Sequence, residues 1–91
     1  MGQIAQAIHD KLNSAFRPER LEVIDDSARH AGHSGAPEGG ESHFNVVIVA
    51  EAFQGASRVQ RQRSVYQALA EEMAGPVHAL SLKALAPGES V

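Results

Sequence analysis

The amino-acid sequence predicts an α+β domain with the element order αββαβ. Residues 3–16 have apolar side chains at helical spacing, residues 44–49 alternate in the manner of a buried strand, and residues 77–85 alternate again after a second helical segment. A strand, a helix and a strand in that order make a right-handed crossover whose two strands run parallel. We therefore expect one three-stranded mixed sheet with both helices on one face.

The first helix is predicted from a four-residue repeat of apolar side chains. These are Ile4, Ile8, Leu12 and Phe16, which fall on one face of a helix. Pro18 sets the end of this helix, because the residue before a proline is displaced from helical backbone angles. His9 lies beside the apolar face, and we expect it to be a partly solvated surface residue.

A long polar segment follows the first strand, which is predicted over residues 21–26. Residues 27–42 contain four glycines, three serines and one proline, without periodicity. A loop of this length in so small a domain is usually functional or disordered, and we expect it to be mobile. It carries His30 and His33. His43 follows at the start of the next strand, where we expect a structural or loop-tethering role.

The second strand leads into a turn and a capped helix. Residues 44–49 are rich in valine and isoleucine, which favour the pleated backbone of a strand. Gly55 permits a tight reversal of the chain. Ser57 is the expected N-cap, and Gln60, three residues later, completes a capping box in which side chains satisfy the free amides of the first turn.

The core-facing side of the second helix is predicted from its apolar positions. We expect the core to contain Val59, Tyr66, Leu69 and Met73, with the Tyr66 hydroxyl at its rim. The residues expected to face water are Arg58, Arg61, Gln62 and Glu72. Gly75 is expected to end the helix as a C′ glycine.

The last strand, residues 77–85, is predicted to place Leu80 and Leu82 on the same face as His78. We expect this strand to run parallel to the second strand. Residues 86–91 are expected to form a flexible tail that adds no structure. Because no repeat or second domain is visible, residues 1–91 are predicted to form one domain.

Composition limits the classes of function. The formal net charge of -3 argues against a general nucleic-acid coat, which needs a basic surface to meet phosphates. The absence of cysteine excludes disulfides and any metal site built on this chain's own thiolates. The longest apolar run, residues 46–50, is too short to span a membrane. No signal-peptide pattern is visible, so we expect a cytoplasmic protein.

Two motifs carry a resemblance to the BolA family of small αββαβ proteins. The first is the F-x-G-x-x-x-V-x-R-x-R-x-V-Y run from Phe53 to Tyr66, and the second is the H-A-L-S-x-K-A run from His78 to Ala84. Their order and spacing make the resemblance specific. One departure is Gln62, because many family members have histidine between the two arginines. The resemblance also implies a fold similar to the class II KH domain.

The resemblance implies a partner rather than a substrate. Proteins of this family pair with monothiol glutaredoxins, and the pair can share a 2Fe-2S cluster that glutaredoxin cysteine and glutathione ligate from one side. The positions that match the family's own ligands are His78 and His30, with His33 as a substitute for the loop ligand. Imidazole is a suitable ligand for iron. We expect no cofactor in the isolated chain, and a monomer or weak homodimer when it is alone.

Each of these histidines also has an ordinary interpretation. A histidine at a strand end, such as His78, is often structural, and the two loop histidines could be solvated side chains. An enzymatic function is disfavoured, because no nucleophile lies in a recognisable motif and a site built from His30, His33 and His78 lacks a placed carboxylate base.

The alternative function is a DNA-binding transcriptional regulator. Arginines cluster in the first turns of the second helix, and the candidate partner- or nucleic-acid-binding residues are Arg58, Arg61, Arg63 and Lys83. A helix start with arginines can hold phosphates. Against this function, the chain lacks the G-x-x-G loop with which KH domains clamp the nucleic-acid backbone, and Gly55 has no second glycine at that spacing.

Overall fold

The computed structural model describes residues 2–26, 43–75 and 77–89. The helices and strands within these ranges are α1 (Gln3–Phe16), β1 (Arg20–Asp25), β2 (His43–Val49), α2 (Arg58–Ala68), α3 (Ala70–Ala74) and β3 (Ala79–Leu85), with a short 3-10 turn over Glu51–Phe53. The predicted α+β class is confirmed. The bounds predicted for the first helix agree with those of α1. The predicted loop, residues 27–42, lies outside the described residues.

The sheet has the strand order β1-β2-β3. β1 runs antiparallel to β2, and β2 runs parallel to β3. In the parallel pair, His43 lies opposite Ala79 and Val49 lies opposite Leu85. The predicted strand–helix–strand crossover is therefore confirmed, and so is the mixed sheet.

The core lies on one face of this sheet. In β2, the alternate residues Phe44, Val46 and Ile48 are at most 2% exposed, whereas the residues between them are only half-buried. Helix α1 covers this face with Ile8 and Leu12, both fully buried. Burial of such side chains contributes most of the stability of a small domain. Within the described ranges, no helix is long and apolar enough to cross a membrane.

The reversal between β2 and α2 forms as the sequence predicts. Gly55 has a φ of 74°, a left-handed conformation that favours glycine. The Ser57 hydroxyl accepts a hydrogen bond from the Gln60 amide at 3.2 Å, and the Gln60 side-chain oxygen accepts one from the Ser57 amide at 2.9 Å. The predicted capping box is therefore confirmed.

The core-facing side of α2 differs from the prediction. Val65 and Leu69 are fully buried, whereas Val59 is 54% exposed and Tyr66 is 37% exposed. Val59 and Tyr66 were therefore assigned to the wrong side, and only the second half of the predicted apolar face is correct. The side of α2 that packs on the sheet also carries Arg61, which periodicity alone assigns to water.

The second helix is also interrupted. α2 ends at Ala68 and α3 begins at Ala70, with Leu69 at a non-helical junction (φ -104°, ψ 22°). Glu72 in α3 is only 8% exposed, and its Oε2 forms an ion pair with the Nζ of Lys11 in α1 at 2.8 Å. The prediction that Glu72 faces water was therefore wrong. Gly75 ends α3 with a negative φ of -114°, and not in the left-handed conformation that is usual for a C′ glycine.

The two valines of α2 provide a matched test of this packing. We expect Val65→Ala to lower the free energy of unfolding by about 1.5–3 kcal/mol, because it removes buried methyl groups and leaves a cavity. Val59→Ala should change it by less than about 0.5 kcal/mol, as is usual at an exposed position. Urea unfolding followed by circular dichroism measures both. Equal losses for the two variants would contradict the observed orientation of α2.

Candidate functional site

Two histidines lie side by side at one end of the sheet. His43 is the first residue of β2, and His78 is exposed and directly precedes β3. The parallel register brings them together, because His43 is opposite Ala79. Their rings stack with centroids 6.4 Å apart and an interplanar angle of 21°. We call this part of the molecule the histidine end.

The attachment points of residues 27–42 belong to the same end of the sheet. The Asp26 amide donates a hydrogen bond to the His43 carbonyl at 2.8 Å, so the segment leaves β1 and enters β2 beside His78. His30 and His33 belong to this segment and lie outside the described residues. Within the described part of the chain, no group of three or more histidine and acidic side chains could hold a metal ion.

His43 is the neighbour of His78 that sequence reasoning did not identify. It was assigned a structural or loop-tethering role because it precedes an apolar strand. The missing information was the register of β2 against β3, which determines which residues lie beside one another across a parallel pair. The predicted parallel crossover contained part of this signal, since it already placed the starts of both strands at one end of the sheet.

A groove of about 720 Å³ lies between the start of α2 and β3. We call it the α2–β3 groove. Its lining includes Arg58, Arg61, Gln62, Leu82, Lys83 and Glu89. Three of the four cations predicted to bind a partner or nucleic acid thus line this groove, Arg58 and Arg61 from α2 and Lys83 from β3. Arg63, the fourth, is exposed and does not line this groove.

Arg61 crosses the end of the groove and is satisfied within the chain. Its Nε donates to the Ala56 carbonyl at 3.0 Å, and its Nη1 donates to the Ala84 carbonyl at 3.0 Å. Both terminal nitrogens donate to the Glu89 carboxylate, at 2.6 and 3.0 Å. The Arg61 side chain is only 12% exposed. The prediction that Arg61 is available to water was therefore wrong.

The Arg61 pair also corrects the expectation for the end of the chain. Ala86 is 1% exposed, and the Glu89 amide donates to the Ala86 carbonyl at 3.1 Å, so residues 86–89 form a turn against the domain. The hydrogen bonds from Arg61 and then from the Ala86 amide lower the pKa of Glu89 to about 2. The same pairing raises the pKa of Arg61. The assignment of no structural role to this segment was wrong for these residues.

Comparison with known proteins identifies relatives along nearly the whole chain. The sequence model of a family described as BolA-like protein matches residues 12–89. BolA-like protein 1 of Homo sapiens is 45% identical over 89 residues, covering 98% of this chain. The DNA-binding transcriptional regulator BolA of Escherichia coli K12 is 47% identical over 79 residues, covering 87% of this chain and 71% of that protein.

A solved structure has the same fold. The BolA domain of SufE1 from Arabidopsis thaliana superposes with a TM-score of 0.87 at 43% identity, over 99% of both chains. The chain spans only 62% of the length of the human relative.

The Arg61–Glu89 pair predicts a specific pH dependence. The pKa of Glu89 is lowered in the folded state, so its contribution to stability is present above pH 4.5 and is lost as the pH falls towards about 2. We expect Glu89→Gln to be less stable than the parent near neutral pH, with the difference shrinking through this window. Thermal unfolding at a series of pH values measures it.

Glu71→Gln is the matched control, because that carboxylate is 89% exposed and 3.8 Å from its nearest cation, the Nζ of Lys11. It should show little of the pH-dependent difference. A Glu89→Gln variant whose deficit persists unchanged near pH 2 would show that the ion pair is not the cause.

Proposed function

The chain belongs to the BolA-like protein family, and on that basis we propose that it is a non-enzymatic accessory protein in iron–sulfur cluster assembly, trafficking or iron sensing. It acts as a heterodimer with a monothiol glutaredoxin and shares a 2Fe-2S cluster with it. The cluster is the cargo of the complex. The glutaredoxin cysteine and glutathione supply the thiolates, since this chain has no cysteine.

The observation that supports this proposal most directly is the composition of the histidine end. His78 is exposed, so its imidazole is accessible to a group held by another protein. Both attachment points of the segment that carries His30 and His33 lie at this same end. In this proposal, a ligand from that segment and His78 meet the cluster from this same end, as two ligands of one shared cluster must. Imidazole nitrogen is a suitable donor for iron and raises the potential of a cluster relative to thiolate.

His78 is the main ligand in this proposal, and His30 is the second, with His33 as its substitute. The ring of His43 lies beside that of His78, with centroids 6.4 Å apart, and we assign to it the role of limiting the orientations of the ligand ring. A defined ring orientation favours binding, because less rotational freedom is lost when the ligand is engaged. His43 is thus a positioning residue in this proposal.

The second candidate function is binding of DNA, and one comparison favours it. The Escherichia coli relative is named a DNA-binding transcriptional regulator. The α2–β3 groove of this chain offers Arg58 and Lys83 as exposed cations. Arg61 is neutralised by Glu89, and the net charge of the chain is -3, so the field available to attract phosphates is small. We therefore rank cluster sharing first.

The test is a titration of this protein into a cluster-loaded monothiol glutaredoxin with glutathione, followed by visible absorption and circular dichroism. We expect a new spectrum that saturates at one-to-one stoichiometry. His78→Ala should abolish the change, because it removes the main ligand. His30→Ala should weaken or abolish it, with His33→Ala as the comparison within the same segment.

Two further histidine variants sharpen the assignment. His9→Ala, on α1, is the matched control and should leave the spectrum unchanged. His43→Ala should retain the new spectrum with a weaker affinity, while its complete loss would make His43 a ligand and not a positioning residue. No spectral change, together with no complex on a sizing column, would contradict cluster sharing. A DNA-binding assay with Arg58→Ala would then decide the alternative.

A further inference from the structure

We propose that the free edge of β3 and the adjoining α2–β3 groove bind an extended acidic segment of a partner protein, which adds to the sheet as a fourth strand. This site is distinct from the histidine end and does not depend on a cluster. It rests on the hydrogen-bonding groups of β3, on the groove beside them and on the charges around both.

On the outer edge of β3, the backbone N–H and C=O groups of alternate residues point away from β2. β3 is the last strand in the order β1-β2-β3. The Leu85 carbonyl accepts from the Ala50 amide, so Leu85 faces β2. Because backbone groups alternate along a strand, those of Leu80, Leu82 and Ala84 face outward. The hydrogen bond from Arg61 to the Ala84 carbonyl confirms this direction.

Arg61 closes one end of this edge and leaves the rest available. It occupies the Ala84 carbonyl, while no strand within the described residues pairs with the outward N–H and C=O groups of Leu80 and Leu82. Such a row of donors and acceptors matches the backbone of an extended peptide, which is the basis of recognition by strand addition. Nucleic-acid backbones offer no equivalent alternation of amide and carbonyl groups.

The groove lies directly beside this edge. Its volume of about 720 Å³ is within the ~300–1,000 Å³ typical of ligand sites. Leu82 belongs both to the groove lining and to the free edge, so alternate side chains of an added strand would enter the groove. None of the residues that line it is aromatic, which removes the stacking platforms that single-stranded nucleic acids use.

The charges around β3 favour an acidic peptide. Arg58 is an exposed cation on the helix side of the groove. Lys83 is exposed in β3, and it alternates with Leu82 and Ala84, which pack towards the core. The two cations therefore flank opposite faces of the strand that would be added. Acidic side chains at neighbouring positions of a peptide point to opposite faces and meet both.

The other edge of the sheet has the opposite character. β1 carries the acidic residues Glu22 and Asp25, and its arginine, Arg20, is paired with Glu22. An acidic segment would be repelled there. The difference between the edges directs an acidic strand to β3.

The test uses the protein alone, without glutaredoxin, and a capped peptide about seven residues long. Pairs of glutamates alternate with pairs of valines in this peptide, so that neighbouring acidic side chains point to opposite faces of the added strand. Nuclear magnetic resonance reports binding and the exchange of individual amides. We expect the amides of Leu80 and Leu82 to become protected from exchange. Arg58→Ala and Lys83→Ala should each weaken binding about two- to fivefold, as expected for an exposed ion pair. Arg20→Ala is the matched control and should bind like the parent.

Two other probes separate strand addition from simple charge attraction. A peptide of the same sequence with N-methylated backbone keeps its charge but cannot donate hydrogen bonds, and we expect its binding to be lost. Equal binding of both peptides, or protection on β1 instead of β3, would overturn the proposal. Tighter binding of an oligothymidylate to the same groove would reassign it to nucleic acid. Since no cluster is present, none of these results bears on cluster sharing.

Discussion

The parallel pairing of β2 with β3 is the constraint on which both candidate surfaces depend. Two consecutive parallel strands require the chain to cross the sheet between them, and α2 and α3 make this crossing. The crossing returns the chain to the start of β2, so that His78 lies beside His43. At the other end of the pair, the Leu85 carbonyl meets the Ala50 amide. The register of this one pair therefore brings His43 and His78 together and places the last residues of β3 beside the start of α2.

The pairing of Arg61 allows α2 to pack against the sheet although the packed side of the helix carries a charge. The side of the helix that packs on the sheet carries Arg61 next to Val65. A charge with little access to water is costly unless it is paired and hydrogen-bonded. Arg61 meets both conditions through two backbone carbonyls and the Glu89 carboxylate. The turn formed by residues 86–89 is thus part of the domain, because it carries the counter-charge.

The two candidate surfaces occupy opposite parts of β3. His78 precedes its first residue, whereas the groove is lined by its last four residues, from Leu82 onward. Seven residues of strand span about 20 Å. A glutaredoxin bound at the histidine end and a peptide strand along the outer edge would approach the molecule from different directions. Binding at the two surfaces therefore depends on different residues. The histidine end uses His78, and the α2–β3 groove uses Arg58 and Lys83.

The sequence by itself determined the α+β class, the bounds of α1, the capping box at Ser57 and the parallel crossover, because these follow from local periodicity, capping and chain handedness. Its two motifs also identified the family that the comparisons confirm. Only the tertiary structure decided which face of α2 is buried. The apolar pattern of that helix does not identify the buried side, because this side carries Arg61, whose charge is paired with Glu89 at a distance of 28 residues along the chain. Strand register decided the contact between His43 and His78, since pairing across a sheet joins positions that periodicity along the chain cannot relate.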